Sequence, residues 1–488
     1  MDEMQYESVM NESNNDSTAY PVQRPSAHVR KRRPKTKEEL FKENTLPLII
    51  LGIAGVLILT FIIGSIVRGA QKRKVEAEAS IAASESMATE EARLTAEMNA
   101  ILTEAEHYAT VYDYDAAIAL IDSFSGNIGA YSQLQDARVR YEYEKNALVP
   151  WEDPNAMLNL SFQTLVADPE RGFSHESQAT SLRQHYITVN EFQNILEDLY
   201  ENDYILVSLR DIAEVSSSAS NSVGYKYKEL YLPEGKKPVI LTQTNISYNL
   251  ALVDSDEDMI ADKGGAGIAS KLILEADGSI TCEMVDAEGN LVYGAYDLIP
   301  ILDAFVEAHP DFSYRGAKAV LGLTGYNGLF GYRTHSAGRD LLGEDTYARD
   351  MQTVQAIAEA LKESGYELGC YTYGNRPYGV LSLSEIQADM NKWNDEVVSI
   401  LGSFDIMIFA QQSDIGDSML YSGEKYDYLK SLGFDYFIGF SSKGDPFTFI
   451  TDEYVRQGRL LVTGENLVHN SSWYIDIFNA EEILDEAR

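Results

Sequence analysis

From Ala156 onward, short apolar runs alternate with longer stretches in which apolar residues recur every three or four positions. The clearest run is Lys237-Pro238-Val239-Ile240-Leu241-Thr242-Gln243-Thr244-Asn245, where a charged, Pro-marked approach leads into β-branched and apolar residues and then a polar cluster. An apolar run bounded by turn signals predicts a buried strand of a parallel sheet. In barrels and open α/β sheets the residues at the C-terminal ends of such strands face the site. Thr244 and Asn245 therefore stand where chemistry is expected.

The same reading predicts strands at 156–165, 204–209, 318–324, 366–373, 405–410, 435–440 and near 459–463. Helices are predicted at 188–203, near Asp211, and at 297–308, 345–364, 384–402 and 424–433, with one more at the C-terminus. Residues 250–295 read as a hairpin insert with turns at Asp277-Gly278 and Glu288-Gly289-Asn290. Strands alternating with helices predict an α/β fold with a parallel sheet, open or closed.

The N-terminal part follows a different pattern. Residues 1–45 are polar, end in the basic cluster Arg30–Lys37, and cannot bury a core, which predicts a disordered tail. Leu46–Val67 is 22 residues without a charge, long enough to cross a bilayer as a helix. Seven Lys/Arg lie in the twenty residues before it, and Arg68, Lys72, Arg73 and Lys74 follow. The positive-inside bias places the N-terminus in the cytoplasm and the bulk of the chain outside, anchored by an uncleaved signal.

Residues 68–148 are rich in Ala and Glu, strong helix formers. Tyr108, Val111 and Tyr112 end one helix, Asp113 or Asp115 starts the next, Ser125-Gly126-Asn127 breaks it, and a third runs to about Leu148. These helices resemble a tetratricopeptide pair. They read as a stalk, with a protein-binding module as the alternative, because a solenoid needs more repeats.

Charge narrows the function. Of 39 Lys+Arg and 76 Asp+Glu, residues 1–74 hold 12 and 8, which leaves 27 basic and 68 acidic residues in the rest, a net −41. That balance argues against a nucleic-acid partner. Two cysteines, Cys282 and Cys370, make neither a disulfide framework nor a Cys-based zinc site, and free buried thiols are expected. Asp254-Ser255-Asp256-Glu257-Asp258 opens like a calcium loop, but the sixth and twelfth positions are Met259 and Gly265, so a solvated acidic loop is expected. Gly322–Gly328 has no Lys-Ser/Thr end and is no phosphate loop, and no Gly-x-Ser-x-Gly elbow occurs.

Several ordered blocks carry a family likeness: Lys237–Gln243, Phe312–Lys318, Gly365–Leu368 leading to Thr372-Tyr373-Gly374, Ser413–Asp417, Tyr426–Phe434 and Tyr454–Arg459. With them, residues 149–488 resemble the polysaccharide deacetylases with a NodB-homology domain, in a membrane-anchored bacterial form. The resemblance implies a distorted (β/α) barrel. It also implies a divalent metal such as zinc, held by one Asp and two His, a neighbouring Asp as general base, and a later His as proton donor.

Carried onto this chain, the general-base position falls on Thr244 and the metal Asp on Asn245. The two His positions fall on Tyr371 and Asn375, and an early His falls on Gln163. His469, in Leu467-Val468-His469, echoes the proton donor. Arg376-Pro377-Tyr378 resembles a further deacetylase motif but directly follows the second one and reads as structural. Amides and hydroxyls are poor zinc ligands, so the resemblance implies a barrel without metal, cofactor or catalysis. Gln163, Gln243, Tyr248, Tyr326 and Tyr373 are the candidate glycan-binding residues. The expected partners are a cell-wall or other polysaccharide, the bilayer, and a protein at the stalk. An active carbohydrate deacetylase with an atypical site is the alternative.

Overall fold

The computed structural model describes residues 37–217, 223–416, 420–441 and 446–488. Most of the expected tail, residues 1–36, lies outside them, as does Asp417. The chain divides into two units, one up to Glu91 and one from Ala92 on.

Helix α1, Lys37–Thr110, contains the apolar stretch and is long and apolar enough to cross a membrane by length and composition. Within the second unit, its residues from Ala92 pack with α2, Tyr114–Asp122, and α3, Ser132–Ala147. Asp113 caps α2 by accepting from the Ala116 N–H at 3.3 Å. Met98, Ile101, Ala105, Ala117, Ile121, Leu134 and Tyr141 form the shared core. These helices do not stand clear of the next domain. The Arg315 N–H donates to the Val111 carbonyl at 2.7 Å, and the Arg315 guanidinium reaches Asp115 at 3.3 Å.

Seven parallel strands form the centre of the second unit. They are β1 Leu158–Phe162, β2 Lys237–Thr244, β3 Ala319–Leu323, β4 Glu367–Cys370, β5 Ile406–Ile408, β6 Tyr436–Phe440 and β7 Val455–Leu461. Each pairs with the next in sequence, and β7 pairs with β1, so the sheet closes into a barrel. The barrel is distorted at β2. Its first residues pair with an extra strand, Tyr204–Leu206, and only Leu241–Thr244 pair with β3. A strand that the sequence reading missed, Phe447–Ile450, runs antiparallel to β7. The insert holds three antiparallel strands rather than a simple hairpin, because its two turns each join a pair.

Alternation along each strand sorts the side chains. On β2, Val239 and Leu241 face the outer helices, whereas Ile240 joins Val320, Ile406, Ile408 and Ile438 inside the barrel. The helix Val189–Glu201 shows the outer layer. Thr188 and Glu191 form its capping box, and Phe192, Ile195, Leu196 and Leu199 are buried against the sheet. Each such side chain stabilises the fold by about 2 kcal/mol. Leu196→Asp would place an unpaired charge in that layer. The interior also holds a polar layer: the Thr242 hydroxyl donates to Asn159 Oδ1 at 2.8 Å, and Asn159 Nδ2 donates to Gln457 Oε1 at 2.8 Å. Cys282 and Cys370 are buried and unpaired.

Candidate functional site

The C-terminal strand ends enclose a cavity of about 320 Å³. Ser161 and Gln163 come from β1 and its exit, Thr244 from β2, Tyr371 and Asn375 from the loop after β4. Gln411 and Gln412 follow β5, Arg459 and Leu461 belong to β7, and His185 reaches in from a helix after β1. Strand parity explains the choice. Thr244 lies two residues beyond Thr242 and shares its inward face. Gly322 supplies space, since a Cβ there would meet Thr244 Cγ2 and Tyr371 Cβ, each at 3.3 Å.

The loops around the cavity carry strained backbone. Asn245, Thr372, Asn375, Gln411 and Gln412 all have positive φ, between 52° and 64°. Asn tolerates this region, but a β-branched Thr there is an outlier, and each strained residue costs about 1–3 kcal/mol. The surroundings hold the strain in place. Asp389 accepts from the Tyr373 and Gly374 N–H groups at 2.9 and 3.1 Å and from the Tyr378 hydroxyl at 2.8 Å. The Arg376 N–H donates to the Thr372 hydroxyl at 2.7 Å, and Gln411 Nε2 donates to the Asn375 carbonyl at 2.7 Å, joining two loops.

The electrostatics are set by one cation. Arg459 is 1% exposed. It donates to the carbonyls of Ile438 at 3.1 Å, Gly439 at 3.0 Å and Phe409 at 2.6 Å. Burial pushes its pKa down from the usual value, while Tyr371 and Asp414 pull it back up. Even so, a guanidinium stays protonated. Three buried polar atoms on the cavity lining have no partner: Ser161 Oγ, Asn375 Oδ1 and Arg459 Nε.

The expected site residues divide into two groups. Gln163, Thr244, Tyr371 and Asn375 line the cavity together. Asn245 does not; its Oδ1 accepts from Thr324 at 3.3 Å and Ser247 at 3.4 Å. Gln243 and Tyr248 are also turned away, because parity points Gln243 outward. Gln243 Nε2 donates to Asp297 Oδ1 at 2.6 Å and the Tyr248 hydroxyl to Asp297 Oδ2 at 2.8 Å. Asp297 is fully buried, and burial pushes its pKa up against the pull of these donors. The Tyr373 hydroxyl is bound to Glu396 at 2.6 Å, and Tyr326 sits beside Asn245 and Asn327 outside the lining. His469 is exposed in the last turn of the short helix Gly464–His469.

Sequence reasoning missed Arg459, Ser161, His185, Gln411 and Gln412 as lining residues. Arg459 lay within a quoted family block, and its inward parity relative to Leu461 was the signal that could have found it.

The lining does not fit zinc, which takes Cys, His and carboxylate ligands. Among the described residues the cavity offers one imidazole, His185, with hydroxyls and amides, and no carboxylate or thiol. The acidic group that does converge, Asp254, Asp256 and Asp262, lies in the insert. Its oxygens accept backbone N–H groups of its own loop, Asp254 from Glu257 at 2.9 Å and Asp262 from Gly264 at 2.6 Å.

No family model matches the chain, and no curated protein matches it. Among solved structures the chain is similar to the Streptococcus pyogenes deacetylase PplD in complex with acetate, with 12% identity and a TM-score of 0.29, over 66% of this chain and 97% of that one. The barrel is established by its strand pairing, independently of this likeness.

Proposed function

We propose that the chain is a membrane-held glycan-binding protein on a polysaccharide-deacetylase-like barrel, without hydrolytic chemistry. The observation that carries this reading is the mouth cavity, lined mainly by amides and hydroxyls from the ends of five strands and lacking any carboxylate among the described residues. Amides of Gln163, Gln411 and Gln412 both donate and accept, which suits sugar hydroxyls. Tyr371 adds an aromatic surface for a ring face. Hydrolysis needs a base within reach of a water. The Thr244 hydroxyl cannot serve, and it already donates to the Phe162 carbonyl at 3.2 Å. The apolar part of α1 crosses the bilayer, its basic flank stays in the cytoplasm, and the barrel faces outward.

The test offers the full-length protein acetylated and deacetylated oligosaccharides, and measures binding by calorimetry and released acetate. Binding without acetate release is expected, weakened about tenfold by Tyr371→Ala, equivalent to ~1.4 kcal/mol. Acetate release that a chelator abolishes, or that disappears in His185→Ala, would overturn the reading.

A further inference from the structure

The insert ends in an edge strand that nothing covers among the described residues. Its strands are Lys271–Leu274, Ile280–Val285 and Leu291–Gly294, with Ile280–Val285 in the centre. One edge is closed, since the Leu272 N–H donates to the Phe330 carbonyl at 3.0 Å. No strand among the described residues pairs with the outer side of Leu291–Gly294.

The phase of the ladder shows which groups are open. In an antiparallel pair, residues that exchange hydrogen bonds alternate with residues that do not, and the latter turn their N–H and C=O outward. The Asp286 N–H donates to the Asn290 carbonyl at 3.0 Å, which closes the turn as a bonded pair. Val292 opposite Met284 is therefore bonded, whereas Leu291 opposite Val285 and Tyr293 opposite Glu283 are not. The central strand agrees: the Glu283 carbonyl turns the other way and accepts from the Ser270 N–H at 2.7 Å. The amides and carbonyls of Leu291 and Tyr293 thus face outward, and their side chains, on one face, are 56% and 55% exposed. Natural edges are guarded by charge, Pro or a bulge. Leu291-Val292-Tyr293 carries neither a charge nor a Pro.

Charge selects the occupant. Residues 250–295 hold 10 Asp+Glu and 2 Lys+Arg, a net −8. The Tyr293 hydroxyl donates to Glu283 Oε2 at 3.3 Å, and the charge of Glu283, with that of Glu275, raises the Tyr293 pKa. Lys271 pairs with Glu283 at 3.0 Å, whereas Glu275 has no ion pair among the described residues. A second copy on this edge would set two acidic inserts against each other. The chain's own basic cluster, Arg30–Lys37, lies across the bilayer in the topology proposed above.

We propose that Leu291–Gly294 is a docking edge for an extended basic segment of another protein. That segment adds as a fourth strand, bonds the amides and carbonyls of Leu291 and Tyr293, and alternates Lys or Arg with apolar residues. Main-chain bonds supply the affinity and alternate side chains the specificity. A cation of the segment meets the Tyr293 ring and the Glu275 carboxylate. This site is separate from the mouth and does not rest on the glycan reading.

The experiment titrates the full-length protein into a labelled short peptide of alternating lysine and valine, read by fluorescence anisotropy. A peptide of alternating glutamate and valine is the comparison, and is expected to bind at least about tenfold more weakly. Tyr293→Pro removes an outward N–H, which an edge strand tolerates, and Tyr293→Ala keeps it. The Pro variant is expected to bind the lysine peptide at least about fivefold more weakly than the Ala variant. Leu291→Lys keeps every backbone group and is expected to weaken the lysine peptide about tenfold with unchanged thermal melting. Equal binding of the two peptides overturns the proposal. Equal binding by the Pro and Ala variants also overturns it, since the attraction is then charge without strand addition. A dimer in sedimentation equilibrium that Leu291→Lys dissolves overturns it as well, because the edge then belongs to a second copy.

Discussion

Two of the cavities in the second unit are of similar size but opposite chemistry. The mouth encloses about 320 Å³; the other, about 290 Å³, lies where the helices meet Tyr314 and Arg315, just ahead of β3. At the helical junction, charges meet partners: Arg315 lies 3.3 Å from Asp115, Lys145 pairs with the same carboxylate, and Lys228 is 3.8 Å from Asp211. At the mouth Arg459 is held by three backbone carbonyls rather than by an ion pair, and Ser161 Oγ, Asn375 Oδ1 and Arg459 Nε lack a hydrogen-bond partner. Volume therefore does not distinguish the two; the pairing of their polar groups does. At the junction the charged groups are paired with one another, whereas the mouth leaves several buried polar atoms without a partner.

Substitutions at three positions, one at each cavity and one at the buried Asp297, probe how polar groups are held. The largest effect is expected from Arg459→Leu, which removes the donor from three buried carbonyls. A loss of about 3 kcal/mol or more in urea denaturation is expected. A loss below about 1 kcal/mol would mean that the carbonyls are satisfied without Arg459. Asp297→Ala comes next, stripping the shared acceptor from Leu165 N–H, Gln243 and Tyr248. A loss of about 2 kcal/mol is expected.

Asp297 also makes a pH prediction. Its folded pKa is raised by burial, so its contribution is fully present below the unfolded value of about 3.9 and falls as pH rises through the folded value. Asp297→Asn should flatten that part of the stability profile from acid to neutral pH. The smallest effect is expected at the junction. Arg315→Ala removes a half-exposed ion pair worth about 1 kcal/mol, and the difference should shrink in high salt. A larger, salt-independent loss would mark the backbone bond to Val111 as the stronger tie.

Much of this was legible in the chain. The alternation placed a strand at or overlapping each of the seven barrel strands, although Leu158–Phe162 and Glu367–Cys370 contain no β-branched residue and Val455–Leu461 begins four residues before the expected 459. The strand Phe447–Ile450 escaped because it is short and lies beyond the central sheet's alternation. At the site, Thr244, Tyr371, Asn375 and Gln163 fell where strand ends were expected. Gln243 and Tyr248 did not, since period-2 alternation sends neighbours to opposite faces, and only the structure shows a buried Asp297 awaiting them. Arg459 was hidden for a related reason: a charged residue in a strand reads as exposed unless its inward neighbours are known.

The polar layer within the barrel has a consequence for biogenesis. Asn159 and Gln457, which bond across the β1–β7 seam, are 298 positions apart. The seam cannot form until nearly the whole domain has been synthesised and, on the topology proposed above, exported. Until then β1 has an open edge, exposed to mispairing with other chains. Closure of this domain should therefore be a late, slow step governed by long-range contacts, and chaperone demand should be greatest for nascent chains that stop short of β7.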